Sequence, residues 1–188
     1  MYRLLVSDKL GAVALERLKE YPDITVDVKT GLSPEQLIAI IGEYDGLIVR
    51  SGTKVTADIL AAAKKLRVVG RAGVGVDNID VKAASMRGVV VMNTPGANSM
   101  ATAELTLGLM LAVSRNIPQA HASLKAGEWR RSDFVGGQLY RKTLGVIGFG
   151  RVGKLVAERA KAFGMDILVF DPAALEETAR ELGVLLVE

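Results

Sequence analysis

The chain has 188 residues, 49% of them hydrophobic and 24% charged, with a formal net charge of +3. That length buries a substantial core in one large or two small domains, and the composition is that of an ordinary soluble globular protein. The absence of cysteine excludes disulfides, thiol catalysis and Cys-ligated zinc or iron–sulfur sites, so no metal is expected. Basic residues are scattered and aromatics make up only 5% of the chain, which leaves neither a charged stripe nor a stacking platform for nucleic acid. The opening MYRLLVSDKL contains Arg3, Asp8 and Lys9 and lacks the apolar run of a signal peptide. The most apolar stretch, Leu105 to Ser114, falls well short of the ~20 residues a membrane span needs. A cytoplasmic protein with no nucleic-acid or membrane partner is expected.

Five short β-branched runs come first: Tyr2–Ser7, Ile24–Val28, Gly46–Arg50, Arg67–Arg71 and Val89–Asn93. Helical patterns separate them. Ser33-Pro34-Glu35-Gln36 predicts a helix start with a serine N-cap, proline at the first position and a capping box closed by Gln36. Thr56 and Asp80 are expected to cap the helices before the fourth and fifth strands. Strands alternating with helices predict a doubly wound parallel α/β sheet, and nearly continuous apolar strands predict cover on both faces. After the break at NTPGAN (Asn93–Asn98), helices are expected over about Ser99–Arg115 and Ile117–Ala126, then an irregular connector over Gly127–Thr143. The alternation restarts with strand Leu144–Ile147, helix Arg151–Phe163, strand Asp166–Asp171, helix Ala173–Leu182 and strand Val184–Val187.

Two glycine loops carry the chemistry. Gly148-Phe149-Gly150-Arg151-Val152-Gly153 has the GxGxxG spacing, follows a strand and opens a helix. Gly148 permits the tight turn, Gly150 the approach of a pyrophosphate, and Gly153 close packing of helix on strand, while the helix N-terminus offers free N–H groups to the anion. Asp171, eighteen residues beyond Gly153, stands where an acid accepts ribose hydroxyls and repels a 2′-phosphate, so NAD is expected over NADP. The second loop, Gly70 to Asp80, follows the fourth strand. Its Gly73, Val74 and Gly75 would expose consecutive N–H groups at the carboxyl edge of the sheet, beside Arg50 and Ser51 at the end of the third strand. Together they would converge on a carboxylate or phosphate. A glycine turn beside a solvated arginine explains the same residues without any ligand.

GRAGVGVDNIDVKAASMRGVVVMNTPGANSMATAELTLGLML and KTLGVIGFGRVGKLVAERAKAFGMDILVFDP resemble the D-2-hydroxyacid dehydrogenase family, the first stretch being similar to its phosphoglycerate branch. The resemblance covers essentially the whole chain. It implies a flavodoxin-like substrate domain with strand order 2-1-3-4-5 over residues 1–98, lacking its C-terminal return segment, and the first half of a Rossmann NAD-binding domain over 99–188. In the family the active site lies in the cleft between the two domains. The implied activity is NAD-dependent oxidation of D-3-phosphoglycerate to 3-phosphohydroxypyruvate, the first step of serine biosynthesis. By the same resemblance Arg50, Ser51, Gly73, Val74, Gly75 and Asn98 contact a phosphorylated 2-hydroxy acid, and Arg131 reaches the phosphate in a neighbouring subunit. Val74 also touches the nicotinamide end, Arg151 and Val152 meet the pyrophosphate, and Asp171 meets the ribose.

The family's catalytic histidine, its glutamate partner and its substrate-holding arginine lie downstream of the second strand–helix repeat, beyond Glu188. His121, the one histidine, sits mid-helix away from that position, so no residue here is expected to be catalytic. The chain therefore reads as an N-terminal part of the enzyme, inactive alone. The parent is expected to be a homo-oligomer, and this part a dimer through Ser99–Arg115 or a monomer with that helix folded onto the open sheet. Two other readings remain: a different D-2-hydroxyacid dehydrogenase, such as a glyoxylate or hydroxypyruvate reductase, or a non-catalytic dinucleotide-binding module.

Overall fold

The structure, a computed structural model, describes residues 1–174 and 176–188. It divides into two compact units, Met1–Ala97 and Asn98–Glu188.

The first unit alternates β1 (Tyr2–Val6), α1 (Ala12–Lys19), β2 (Ile24–Val28), α2 (Pro34–Ile41), β3 (Gly46–Val49), α3 (Ala57–Ala62), β4 (Val68–Arg71), α4 (Val81–Met86) and β5 (Val90–Met92). All five strands are parallel, in the order β2-β1-β3-β4-β5 expected from the resemblance. The helix starts follow local chemistry. Ser33 Oγ accepts the Gln36 amide at 3.3 Å while Gln36 Oε1 accepts the Ser33 amide at 2.8 Å, closing the capping box. Thr56 and Asp80 cap α3 and α4 through the amides of Ile59 and Ala83.

Cover of this sheet is uneven, and the handedness of the crossovers gives the reason. Passing from β2 to β3, β4 and β5 the chain moves one way across the sheet, so right-handed crossovers set α2, α3 and α4 on one face. There Leu37, Ile41, Ile59, Leu60 and Ala84 bury against Leu5, Leu47, Val49 and Val69. Only the step from β1 to β2 runs the other way, so α1 alone serves the second face, and α1 buries none of its residues. Val90 and Met92 on β5 consequently remain 57% and 59% exposed. The cover on both faces that the apolar strands predicted is incomplete.

The second unit comprises α5 (Ser99–Ser114), α6 (Ile117–Lys125), a 3₁₀ turn (Arg131–Phe134) within the stretch expected to be irregular, β6 (Thr143–Ile147), α7 (Arg151–Ala162), β7 (Asp166–Phe170), α8 (Glu176–Leu182) and β8 (Leu185–Leu186). Its three parallel strands stand in the order β6-β7-β8. Val156, Ala157 and Ala160 of α7 pack on Ile167 and Val169, with Ala103 and Leu107 of α5 completing the core. Here too the strands progress in one direction, and Ile147 stays exposed. The final strand is shorter than expected. So is α8, because Ala173 and Ala174 form a turn on Asp171 instead: their amides donate to its Oδ1 and carbonyl. Leu175, inside the expected helix Ala173–Leu182, lies outside the described residues.

Candidate functional site

In the second unit the glycine turn takes the conformation its spacing requires. Gly148 has φ +91°, in the region side chains disfavour, and its amide donates to the Phe170 carbonyl at 2.8 Å. A Cβ on Gly153 would collide with the Gly148 carbonyl and stand 3.4 Å from Val146, so α7 approaches β6 as closely as it does only because residue 153 is glycine. Gly150, the N-cap of α7, is different: a Cβ there would meet nothing within 4 Å. Its missing side chain leaves space outside the protein rather than relieving a contact inside it. No side chain caps α7, so the amides of Arg151, Val152 and Gly153 face that space as free donors among the described residues.

Asp171 follows β7 and closes the turn. Its Oδ2 accepts the Phe149 amide and its Oδ1 the Ala173 amide at 2.8 Å. The Phe149 amide first, then the Ala173 amide and the Lys154 charge, hold its carboxyl below the usual carboxylate range, so it is anionic at neutral pH. Amide N–H groups beside a partly exposed carboxylate can grip a diphosphate and the hydroxyls next to it.

In the first unit the loops after β3 and β4 lie side by side, joined by the bridge between Val55 and Ile79. Arg50 and Ser51 are exposed, with Arg50 Nη1 donating to the Lys9 carbonyl at 3.3 Å. The Gly73–Gly75 loop differs from the expected row of three donors. The Gly73 amide turns back onto the Arg71 carbonyl at 2.9 Å, leaving those of Val74 and Gly75 without an acceptor among the described residues. Thr94 and Asn93 hold the loop from the end of β5, donating to the carbonyls of Gly73 and Val74.

Sequence reasoning passed over three residues here. Arg71 runs beneath the loop nine-tenths buried, its Nη1 pairing with Asp77 and its Nε buried with no acceptor among the described residues. Asp8 and Asn78 bind residues 50 and 53 from opposite sides. Arg71 and Asn78 lie within the loop from Gly70 to Asp80, where the spacing signals the backbone donors of residues 73–75 and carries nothing about the side chains around them. Among the remaining expected residues, Asn98 begins α5, accepting the Thr102 amide and hydroxyl on its carbonyl. Arg131 lies in the 3₁₀ turn and lines a shallow recess of about 240 Å³ with Trp129 and Phe134. His121 lies within α6, exposed. No helix among the described residues is long and apolar enough to cross a membrane.

Parallel α/β units with donor-rich loops at their carboxyl edges define a doubly wound α/β protein of the kind that binds nucleotides and anions at that edge, and comparison with known proteins specifies the family. Residues 4–187 match the family described as D-isomer specific 2-hydroxyacid dehydrogenase, catalytic domain, and the chain belongs to that family. It is 56% identical over all 188 residues to the D-3-phosphoglycerate dehydrogenase of Methanocaldococcus jannaschii, covering 36% of that protein. It is 50% identical over 182 residues to that of Rattus norvegicus, covering 97% of this chain and 34% of the relative. The chain thus spans about a third of the length of these curated relatives. Among solved structures, the TT0316 protein of Thermus thermophilus superposes with a TM-score of 0.89 at 36% identity, over 99% of this chain and 60% of that one. D-lactate dehydrogenase of Aquifex aeolicus, complexed with NAD and lactic acid, shares the fold at 24% identity with a TM-score of 0.85, over 99% of this chain and 56% of that one.

Two outcomes are expected from this geometry. Gly153→Ala forces backbone apart and lowers unfolding free energy by about 1–3 kcal/mol, whereas Gly150→Ala, facing open space, stays within about 0.5 kcal/mol; denaturant titration of both measures the contrast. The second concerns Asp8. Burial pushes its carboxyl up, but the amides of Arg50 and Thr53, the Thr53 hydroxyl and the Gly52 amide together bring it below the usual range. A depressed folded value means that its stabilisation is complete above the unfolded carboxylate value of about 3.9 and fades as pH falls through the lower, folded one. The stability difference between wild type and Asp8→Asn therefore holds constant from neutral pH down to about 5 and shrinks below about 4.

Proposed function

We propose that the protein carrying these residues oxidises the 2-hydroxyl of D-3-phosphoglycerate to the ketone of 3-phosphohydroxypyruvate, the first step of serine biosynthesis, with NAD as its cofactor. The identity of 56% across the whole chain to a D-3-phosphoglycerate dehydrogenase carries this reading. The site supports it in chemical terms. Oxidation removes a hydride from C2 and a proton from its oxygen, between two anionic groups that must be held. NAD, when bound, takes up the hydride.

Arg50 and Ser51, with the amides of Val74 and Gly75 and the Gly73 loop that carries them, hold the anionic substrate. The guanidinium of Arg71, paired with Asp77, supports that loop from beneath. Asn98 is a further substrate contact in this reading, and Arg131 reaches the substrate phosphate of a neighbouring subunit. The nucleotide meets Gly148, Gly150, Arg151, Val152 and Gly153 at its diphosphate and Asp171 at its ribose. The space outside Gly150 and the free donors of α7 fit a diphosphate. The anionic Asp171 favours NAD, because a 2′-phosphate there would face a like charge. In this reading residues 1–188 by themselves supply neither general acid–base catalysis nor the close positioning of both reactants, and the one histidine, His121, lies exposed in α6.

The protein assembles as a homo-oligomer through α5. Leu105, Leu109 and Val113 form one helical stripe, 62%, 57% and 78% exposed, opposite the face packed on α7. A second copy buries that stripe against its own.

Steady-state assays of the full-length polypeptide test the reaction. D-3-phosphoglycerate with NAD is turned over faster than D-lactate or D-glycerate, residues 1–188 alone give no turnover, and Asp171→Ala lowers the preference for NAD over NADP about tenfold, a loss of about 1.4 kcal/mol of discrimination. Faster turnover of an unphosphorylated acid contradicts the substrate assignment. Size measurement by light scattering tests the assembly: wild type is a dimer or larger, and Leu109→Glu halves that mass.

A further inference from the structure

Three strand-end loops meet at residues 50–53, and the two side chains joining them have no part in the chemistry above. From the loop after β1, Asp8 accepts the Arg50 amide at 2.6 Å, the Thr53 amide at 3.0 Å and the Thr53 hydroxyl at 3.0 Å. From the loop after β4, Asn78 donates Nδ2 to the Arg50 carbonyl at 2.7 Å and the Thr53 carbonyl at 2.6 Å. Both therefore address the same two residues, one through N–H and the other through C=O. Only Ser51 and Gly52 lie between these anchors. A Cβ on Gly52 would stand 2.7 Å from Asp8 Oδ1, so the backbone passes the carboxylate at a distance that glycine alone allows. Buried Ser7 adds its hydroxyl to that of Thr53 at 2.9 Å.

The arrangement holds more than the fold needs. Residues 50–52 are exposed, and water could satisfy their amides and carbonyls at no loss to the core. Instead the protein partly desolvates a carboxylate and buries Asn78 Oδ1 without any donor among the described residues. An unsatisfied buried acceptor is unfavourable, and it persists here beside two exposed side chains whose placement matters.

We propose that Asp8 and Asn78 are positioning residues that clamp the Arg50–Thr53 loop from both sides and so set the Arg50 guanidinium and Ser51 for the anionic end of the substrate. The proposal rests on the reading of Arg50 as a substrate contact. It assigns specificity to two side chains that themselves touch neither substrate nor nucleotide.

Steady-state kinetics and amide exchange of the full-length polypeptide test it. Asp8→Ala raises KM for D-3-phosphoglycerate about tenfold or more, with kcat and the KM for NAD within about threefold, as expected when binding shared by ground and transition states is lost. Asn78→Ala does the same, and exchange of the peptide spanning residues 46–56 accelerates while that of β7 does not. In an Arg50→Ala background Asp8→Ala adds less than about twofold, because the loop it fixes no longer carries the guanidinium. Should Asp8→Ala fail to fold, Asp8→Asn keeps volume and one acceptor, and its smaller rise of about threefold is read in the same two backgrounds. Effects that multiply fully with Arg50→Ala, or that fall equally on both KM values, overturn the clamp but leave the proposed reaction standing. An Arg50→Ala enzyme with unchanged KM overturns the substrate role of Arg50 and the clamp with it.

Discussion

Because every strand in both sheets runs parallel to its neighbours, each is followed by a crossover that begins at the same edge of its sheet. That constraint gathers the loops after β1, β3 and β4 on one edge of the first unit, and the turn after β6 beside Asp171 after β7 on one edge of the second. Peptide groups at that edge have left the ladder and need other partners, which makes it the natural place for ligands and for side chains that organise loops. The right-handed sense of each crossover decides the rest, because it places the helices and hence which sheet face is buried.

At these edges the two units use the same device. In each, an aspartate just past one strand binds amides of the loop past the next strand over. Asp8 takes those of Arg50 and Thr53, and Asp171 takes that of Phe149. Main-chain donors hold both carboxyls below the usual carboxylate range, and each carboxylate ties its loop to the end of a neighbouring strand. Asp171 remains open enough to meet a ligand as well, whereas Asp8 is occupied by the loop it holds. A ligand-facing residue and a positioning residue thus differ mainly in how many of their lone pairs the protein itself consumes.

Features legible in the sequence were those whose cause is local. The capping box at Ser33 and Gln36 spans three residues, and the turn at Gly148 is set by one residue's freedom to adopt positive φ. The packing of α7 on β6 was legible through Gly153 for the same reason, since GxGxxG encodes contacts within a single strand–turn–helix. Asp8 was not legible, because its partners lie 42 and 45 residues away and nothing local distinguishes it from a solvated acid. Asn78 reaches Arg50 across 28 residues. The inward turn of the Gly73 amide was likewise hidden, because a glycine triplet permits donors to face outward without requiring it.

By itself the amino-acid sequence determined the alternation of strands and helices, the helix caps, the parallel direction of the strands and the glycine turn with its acid. Each of these follows from periodicity or from steric limits within a few residues. Only the tertiary structure decided which faces of the sheets stay open, which loop amides remain free, and that Asp8, Asn78 and Arg71 belong to the same edge as Arg50. Those outcomes depend on crossover direction and on contacts between distant segments, and such contacts exist only once the strands have paired.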